Sequence, residues 1–231
     1  MDVEKQREAE RNDRVDFVKR LFAVAISVGF ATQVSRIIQE QQTSHRALLS
    51  VASDHRVGLI LLLASLFIVV GSWEGYLASI RGKPLDDTIR FYIDIAIVFE
   101  YLLLMLCSEL PQEWFAIHFL IFGTYLIWDI FARRYVKAHS ESPEALSLPH
   151  PQLRQESIVI TAAWAYCSLL LWISYSTKTN GGTFIAAIIA VLILFGYRQQ
   201  KRVRKTTPWP LWADVVAIIL VFGFLWGSHY I

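Results

Sequence analysis

The chain has 231 residues, of which 55% are hydrophobic and 18% are charged, and its formal net charge is +2. Soluble globular domains carry about 45–50% apolar and about 25% charged residues, so this composition excludes an ordinary water-soluble domain. Only two cysteines are present, Cys107 and Cys167, and both sit in apolar runs, which excludes a disulfide framework.

The N-terminal segment, residues 1–17, is a charged amphipathic lead, MDVEKQREAERNDRVDF. It lacks the short apolar segment and small-residue cleavage site of a secretory signal, so we predict no signal peptide. We assign it instead to the cytosol, ahead of the first apolar stretch.

Seven apolar stretches follow, each close to the about 20 residues that cross about 30 Å of hydrocarbon. They lie at about 18–38, 57–80, 90–108, 114–133, 157–176, 183–198 and 209–229. Four of the breaks between them contain Pro or Gly: RGKPLDD, SELPQE, TKTNGG and KTTPWP. The sequence therefore predicts an all-α, polytopic integral membrane helical bundle with seven transmembrane helices. The alternative is six, because Lys19, Arg20, Gln33 and Arg36 crowd the ends of the first stretch, which would then lie at the interface.

The orientation follows from the placement of Lys and Arg, which are retained on the cytoplasmic side. Basic residues cluster before the first stretch, between the second and third, after the fourth, and in RQQKRVRK after the sixth. The intervening segments carry few, and SELPQEW carries none. This alternation predicts an N-in, C-out topology for seven spans.

One long polar connection, 134–156, holds three of the seven prolines and is predicted to be a cytosolic linker. It divides a four-helix half, 18–133, from a three-helix half, 157–231. Together with the N-terminal lead, this linker offers a cytosolic surface on which a soluble partner could dock.

The third stretch, RFYIDIAIVFEYLLLML, places charged residues within lipid. Arg90 and Asp94 stand at i and i+4 and are predicted to pair. Glu100 lies deeper and has no local counter-charge. An ionised carboxylate at the bilayer centre costs at least about 2.5–3.5 kcal/mol, so Glu100 must face a neighbouring helix or water.

Four acids, Glu74, Asp94, Asp129 and Asp214, are predicted at comparable depth in the inner half of the membrane. Cations at the same level are Arg90, Arg133 and Arg198. Two interpretations stay open: a salt-bridge network that fixes helix register, or a vestibule or relay for cations or protons. His118 enters from the outer side, as a helix–helix hydrogen-bonding group or a proton switch.

Two further patterns concern packing. FIVVGSW at 67–73, FLIFGTY at 119–125 and the looser LILFGY at 192–197 each join Gly to an aromatic residue. The glycine favours close helix packing, and the Ser or Thr of the first two favours hydrogen bonds between helices. An aromatic belt at the membrane interfaces accounts for several tryptophans near span ends: Trp114, Trp172, Trp209, Trp212 and Trp226.

Catalytic and cofactor signatures are missing. There is no H-E-x-x-H, G-x-S-x-G, phosphate-binding glycine loop or C-x-x-C, so we expect no enzyme, no metal site and no cofactor. The last stretch has no lysine, which argues against a retinal pigment. KRVRK beside a membrane is expected to contact anionic lipid rather than nucleic acid.

The segment FVKRLFAVAIS at 17–27 resembles the first helix of the bacterial and endolysosomal potassium-channel family with six-helix units. In that family R-x-x-x-F-S-D leads into F-A-I-A-I-T. Phe17 and residues 22–27 match this pattern, whereas Val18 and Lys19 replace its Ser and Asp. The resemblance implies an oligomeric channel, with Ile26 or Phe30 facing the pore.

We therefore expect a homo-oligomeric ion-conducting pore in the cell membrane, more specifically a prokaryotic inner membrane. The alternative is a non-conducting sensor, anchor or defence-type effector subunit that docks a cytosolic partner. A small-solute transporter is the third possibility.

Overall fold

The structure, a computed structural model, describes residues 3–80, 88–138, 151–176 and 182–203, and these form helices with no strand. The helices are α1 Val3–Ser44, α2 Leu48–Asp54, α3 Arg56–Ile80, α4 Thr88–Leu106, α5 Pro111–Ala138, α6 Pro151–Ser176 and α7 Thr183–Val203. The all-helical prediction is confirmed for this part of the chain. The predicted seventh span, 209–229, lies outside the described residues.

Five helices, α1, α3, α5, α6 and α7, are long and apolar enough to cross a membrane. The other long helix, α4, has 19 residues and is strongly apolar, but it carries three charged residues, Arg90, Asp94 and Glu100. Its outward face is nevertheless apolar, since Phe99 and Leu103 are exposed. The protein is therefore a multi-pass membrane protein, and α4 has the length to be one of its spans.

Two features of the helix boundaries differ from the sequence prediction. The first helix is 42 residues long, about 63 Å at 1.5 Å per residue, because its charged N-terminal residues continue the same helix as the apolar stretch. The short α2 was not predicted. It follows a reversal at His45, whose φ of 52° ends α1 in the left-handed conformation.

The helices pack as one bundle. The helix α5 lies between α4 and α6, α7 packs on α6 and α3, and α1 packs mainly on α4. The predicted four-helix and three-helix halves are therefore packed against each other, mainly through α5 with α6 and α3 with α7. The predicted linker is helical at both ends, up to Ala138 and from Pro151.

Apolar side chains occupy both the core and the outer surface of this bundle. The largest buried ones come from several helices: Trp114, Tyr101, Tyr197, Phe115 and Phe122. Exposed ones are equally widespread: Val24, Leu63, Phe67, Phe99, Leu120, Tyr166, Ile173 and Leu192. A soluble monomer rarely exposes a large contiguous apolar surface, whereas lipid favours one.

Candidate functional site

Glu100 is a predicted site residue whose hydrogen bonds are only partly supplied by the described residues. It is 8% exposed, near the middle of α4. One carboxylate oxygen, Oε1, accepts a hydrogen bond from Thr124 Oγ1 of α5 at 2.6 Å. The other, Oε2, is buried and has no hydrogen-bond partner among the described residues. A buried polar atom without a partner costs about 1–3 kcal/mol, and more if it is charged.

Apolar side chains are exposed on the outward faces of α4 and α5, the two helices that carry Glu100 and its donor Thr124. They include Phe99 and Leu103 of α4 and Leu120 and Ile127 of α5. At Gly123, on the same face of α5, a Cβ atom would have no described atom within 4 Å. We call this surface the α4–α5 groove. Glu100 lies beneath this surface, with its Oε2 atom buried.

Asp94 and Arg90 lie as the sequence predicts, one turn apart on α4. The Arg90 Nε to Asp94 Oδ2 distance is 3.8 Å, and both side chains are largely buried. The Arg90 guanidinium stacks over the Trp128 ring of α5, 4.9 Å from its centre. The charge of Asp94 is therefore balanced by Arg90 of the same helix, and Trp128 of α5 packs against that arginine.

Asp129 is the most completely satisfied acid. Its side chain is 1% exposed, and Lys201 Nζ of α7 lies 2.6 Å from Oδ2. From α6, Thr161 donates to Oδ2 and Ser157 donates to Oδ1 at 3.1 Å. We call these four residues the Asp129 cluster; it joins α5, α6 and α7. The sequence predicts arginines as the counter-charges at this depth, but the partner of Asp129 is Lys201, the first lysine of RQQKRVRK. Arg133, one turn beyond Asp129, is half-buried.

The predicted common layer of acids is only partly formed. Glu74 is exposed, because Ser72, two residues earlier and 200° around the helix, is the residue that points into the bundle. Asp214 lies outside the described residues. Of the four acids, Asp94 and Asp129 are therefore the two that enter ion pairs described by the structure.

A tyrosine network extends this layer and was not predicted as a unit. The hydroxyl of Tyr125 contacts that of Tyr101, donates to Ser72 Oγ at 2.9 Å and accepts from Arg198 Nη2 at 2.8 Å. Tyr197 stacks on Tyr125 with ring centres 5.5 Å apart. Helical spacing relates these tyrosines to the acids, because Tyr101 follows Asp94 by seven residues and Tyr125 precedes Asp129 by four.

His118 is a core residue. It is buried, its Nδ1 lies 2.6 Å from Ser168 Oγ of α6, and its ring stacks on Trp114. Trp114 is also fully buried, with its indole N–H donating to Ser65 at 2.8 Å. The prediction that Trp114 belongs to an interfacial aromatic belt was therefore wrong, because its indole N–H donates to Ser65 of α3 rather than to water.

The repeated Gly motif packs in three different ways. Ser72 and Thr124 do hydrogen-bond to neighbouring helices, as the pattern predicts. A Cβ at Gly196 would come within 2.6 Å of the Trp164 ring, one at Gly71 would make an ordinary 3.5 Å contact, and Gly123 faces open space. The motif therefore does not specify one kind of helix contact.

Comparison with known proteins gives no relative. No protein-family model matches this chain, and neither a similar curated protein nor a similar solved structure was found. Within the described residues, no group of three or more His, Cys, Asp or Glu side chains could hold a metal ion. The chemistry available is that of buried carboxylates, of which Glu100 alone has an oxygen without a hydrogen bond in the part of the chain described.

Proposed function

We propose that copies of this chain assemble in the cell membrane into an ion-conducting pore, with Glu100 attracting cations along the α4–α5 groove. The observation that carries this proposal is the Oε2 atom of Glu100, which has no hydrogen-bond partner among the described residues. A single hydrogen bond from Thr124 does not offset the cost of a carboxylate in lipid. A neighbouring copy over the groove would enclose a hydrated path and give the carboxylate water or a cation.

The resemblance of α1 to a channel helix suggests that α1, rather than the α4–α5 groove, lines the pore. In that arrangement Phe30, which is 44% exposed, would face the pore, while Ile26 packs against the core of its own subunit. The two linings are distinguished by single-cysteine variants at Leu103 and Phe30. Modification by a charged thiol reagent should block conduction at position 103 if the groove is the path, and at position 30 if α1 is.

The direct test measures cation flux through vesicles containing the purified protein. Glu100→Gln should lower the flux, because it removes the charge but keeps the shape of the side chain. Glu74→Gln is the matched control, since Glu74 is an exposed acid away from the groove. Equal flux through Glu100→Gln and the unmodified protein would contradict the proposed role of Glu100.

A second variant tests assembly. Gly123→Trp should fill the groove and prevent a second copy from covering it, so the oligomer and the flux should be lost together. The subunit should remain folded, because no described atom lies within 4 Å of a Cβ at this position. An unchanged oligomer in detergent would argue against the groove as the interface.

A docking subunit remains the alternative, and one feature favours it. The helix α1 is about twice as long as the hydrocarbon thickness, and its first turns are densely charged. These turns would project into the cytosol in the predicted orientation. A protein that shows no flux, and that binds one identified soluble partner only while residues 3–13 are present, would support this function over the pore.

A further inference from the structure

A second polar cluster lies at the opposite end of the bundle from the Asp129 cluster. His55, where α2 meets α3, stands between two glutamates: Glu40 near the end of α1, and Glu109 in the turn between α4 and α5. Its Nε2 lies 2.7 Å from Glu40 Oε2 and its Nδ1 lies 3.0 Å from Glu109 Oε1. The three residues are 15 and 54 positions apart, so no local sequence pattern predicts their contact.

The geometry specifies the protonation state of this histidine. A carboxylate can only accept hydrogen bonds, and a neutral imidazole has only one N–H to donate. Both contacts therefore require the doubly protonated imidazolium. Loss of one proton would leave a nitrogen lone pair facing a carboxylate, which converts an attraction into a repulsion.

The fold also makes room for this arrangement. A Cβ atom at position 58 would overlap the carboxylate of Glu109, so the glycine on the first turn of α3 admits that side chain. The side chains of His55 and Glu109 are 21% and 30% exposed, so protons reach the cluster from solvent. These residues precede or follow the apolar spans and do not belong to the site proposed above.

We propose that Glu40, His55 and Glu109 form a proton-dependent clamp that fastens α1 and α3 to the α4–α5 turn. The clamp is closed while both nitrogens of His55 carry protons and opens when one is lost. In the predicted orientation this end of the bundle meets the external solution, so the clamp would respond to external pH.

Other charged groups at this end belong to neighbouring elements but do not hydrogen-bond His55. They are Arg36 of α1, the Arg46–Asp54 ion pair of α2, Arg56 of α3 and Glu113 of α5. The hydrogen bond to Glu40, followed by that to Glu109, raises the pKa of His55 above its ordinary value of 6.5, against the lowering effect of burial. The clamp thus stabilises the fold fully below pH 6.5 and loses this contribution as pH rises through the folded-state pKa.

The first experiment follows the His55 ring protons by NMR while thermal unfolding is measured from about pH 5.5 to 9. We expect a His55 titration midpoint above 6.5 and an unfolding temperature that falls across that midpoint. His55→Gln should remove this fall, whereas Asp54→Asn, which breaks the neighbouring ion pair, should keep it. A midpoint at or below 6.5, or the same pH profile in His55→Gln and the unmodified protein, would overturn the proposal.

The second experiment measures opening of the turn itself. Cys107 lies in this turn and is half-buried, so its alkylation is slow while the turn is closed. At about pH 6 Cys107 should react several-fold faster in His55→Gln than in the unmodified protein, and at about pH 9 the two rates should converge. A ratio that does not change with pH would show that His55 has a structural role only.

Gly58→Ala provides a variant that keeps every ionisable group. The added methyl should displace the Glu109 carboxylate from His55, so the pH response should weaken to the level of Glu109→Gln. If Gly58→Ala retains the full response, Glu109 is not part of the clamp. Because these readouts need no ion flux, failure of the clamp and failure of the proposed pore are separate outcomes.

Discussion

Asp129 and Glu100 are both buried carboxylates on neighbouring helices, but they differ in how many described groups hydrogen-bond to them. Asp129 receives a lysine and two hydroxyls from α6 and α7, so its charge is balanced within one chain. Glu100 receives one hydroxyl and has an oxygen left without a described partner. Burial alone therefore does not identify a functional acid. The informative quantity is how many hydrogen bonds the chain itself supplies to the carboxylate.

The largest expected effect comes from breaking the Asp129 cluster. Asp129→Asn leaves the Lys201 ammonium without its counter-charge, and removing one partner of a buried ion pair costs about 3–5 kcal/mol. Glu100→Gln, which removes a charge that has no ionic partner among the described residues, should cost less than about 1 kcal/mol. The measurement is reversible unfolding of both variants in mixed detergent and SDS.

A double variant tests the origin of this difference. Asp129→Leu combined with Lys201→Leu should be less destabilised than the sum of the two single variants, because the two residues are in contact. Simple additivity would show that the ion pair does not stabilise the α5–α7 contact. Glu100→Gln losing as much stability as Asp129→Asn would remove the contrast between the two acids.

The second-largest expected effect is on helix packing beside the Asp129 cluster and beside Glu100. The interface of α6 and α7 beside the Asp129 cluster is tight, since a methyl group at Gly196 would lie 2.6 Å from the Trp164 ring, whose indole N–H donates to Gln200 at 2.5 Å. Gly196→Ala must displace that ring and should cost about 1–3 kcal/mol, as overpacking does. Trp164 fluorescence during unfolding would report both the loss and the displacement.

Two glycines of the same motif serve as controls for Gly196→Ala. Gly71→Ala would add an ordinary contact with Leu194, and Gly123→Ala would point into the open α4–α5 groove. Both should leave subunit stability unchanged or slightly higher, because Ala is the better helix former. A loss of stability in Gly123→Ala as large as that in Gly196→Ala would mean that the groove is already filled.

The sequence predicts the parts of this molecule that depend on local chemistry. Apolar stretches of the right length identified the helices, and the i, i+4 spacing placed Arg90 beside Asp94. It does not predict which distant groups meet. Lys201 was one cation among five in a basic cluster, and His55 was one of six scattered histidines. The sequence also predicted Glu74 in the same layer as the other acids. Its position around α3 instead places it on the exposed surface, because Ser72 occupies the face that points into the bundle.

The smallest expected effect isolates the hydrogen bond that Glu100 does have. Thr124→Val keeps the shape of the side chain but removes the donor to Oε1, and a hydrogen bond between membrane helices is worth about 0.6 kcal/mol on average. The corresponding change in the Asp129 cluster, Thr161→Val, should cost a similar amount, because one hydroxyl is lost in each case. The two variants should differ in flux, because Thr124→Val frees the Glu100 carboxylate to move in the groove, whereas Asp129 keeps Ser157 and Lys201. If unfolding and flux change equally in both variants, Thr124 acts only in packing. That result would also contradict the proposal that cations pass along the α4–α5 groove rather than beside the Asp129 cluster.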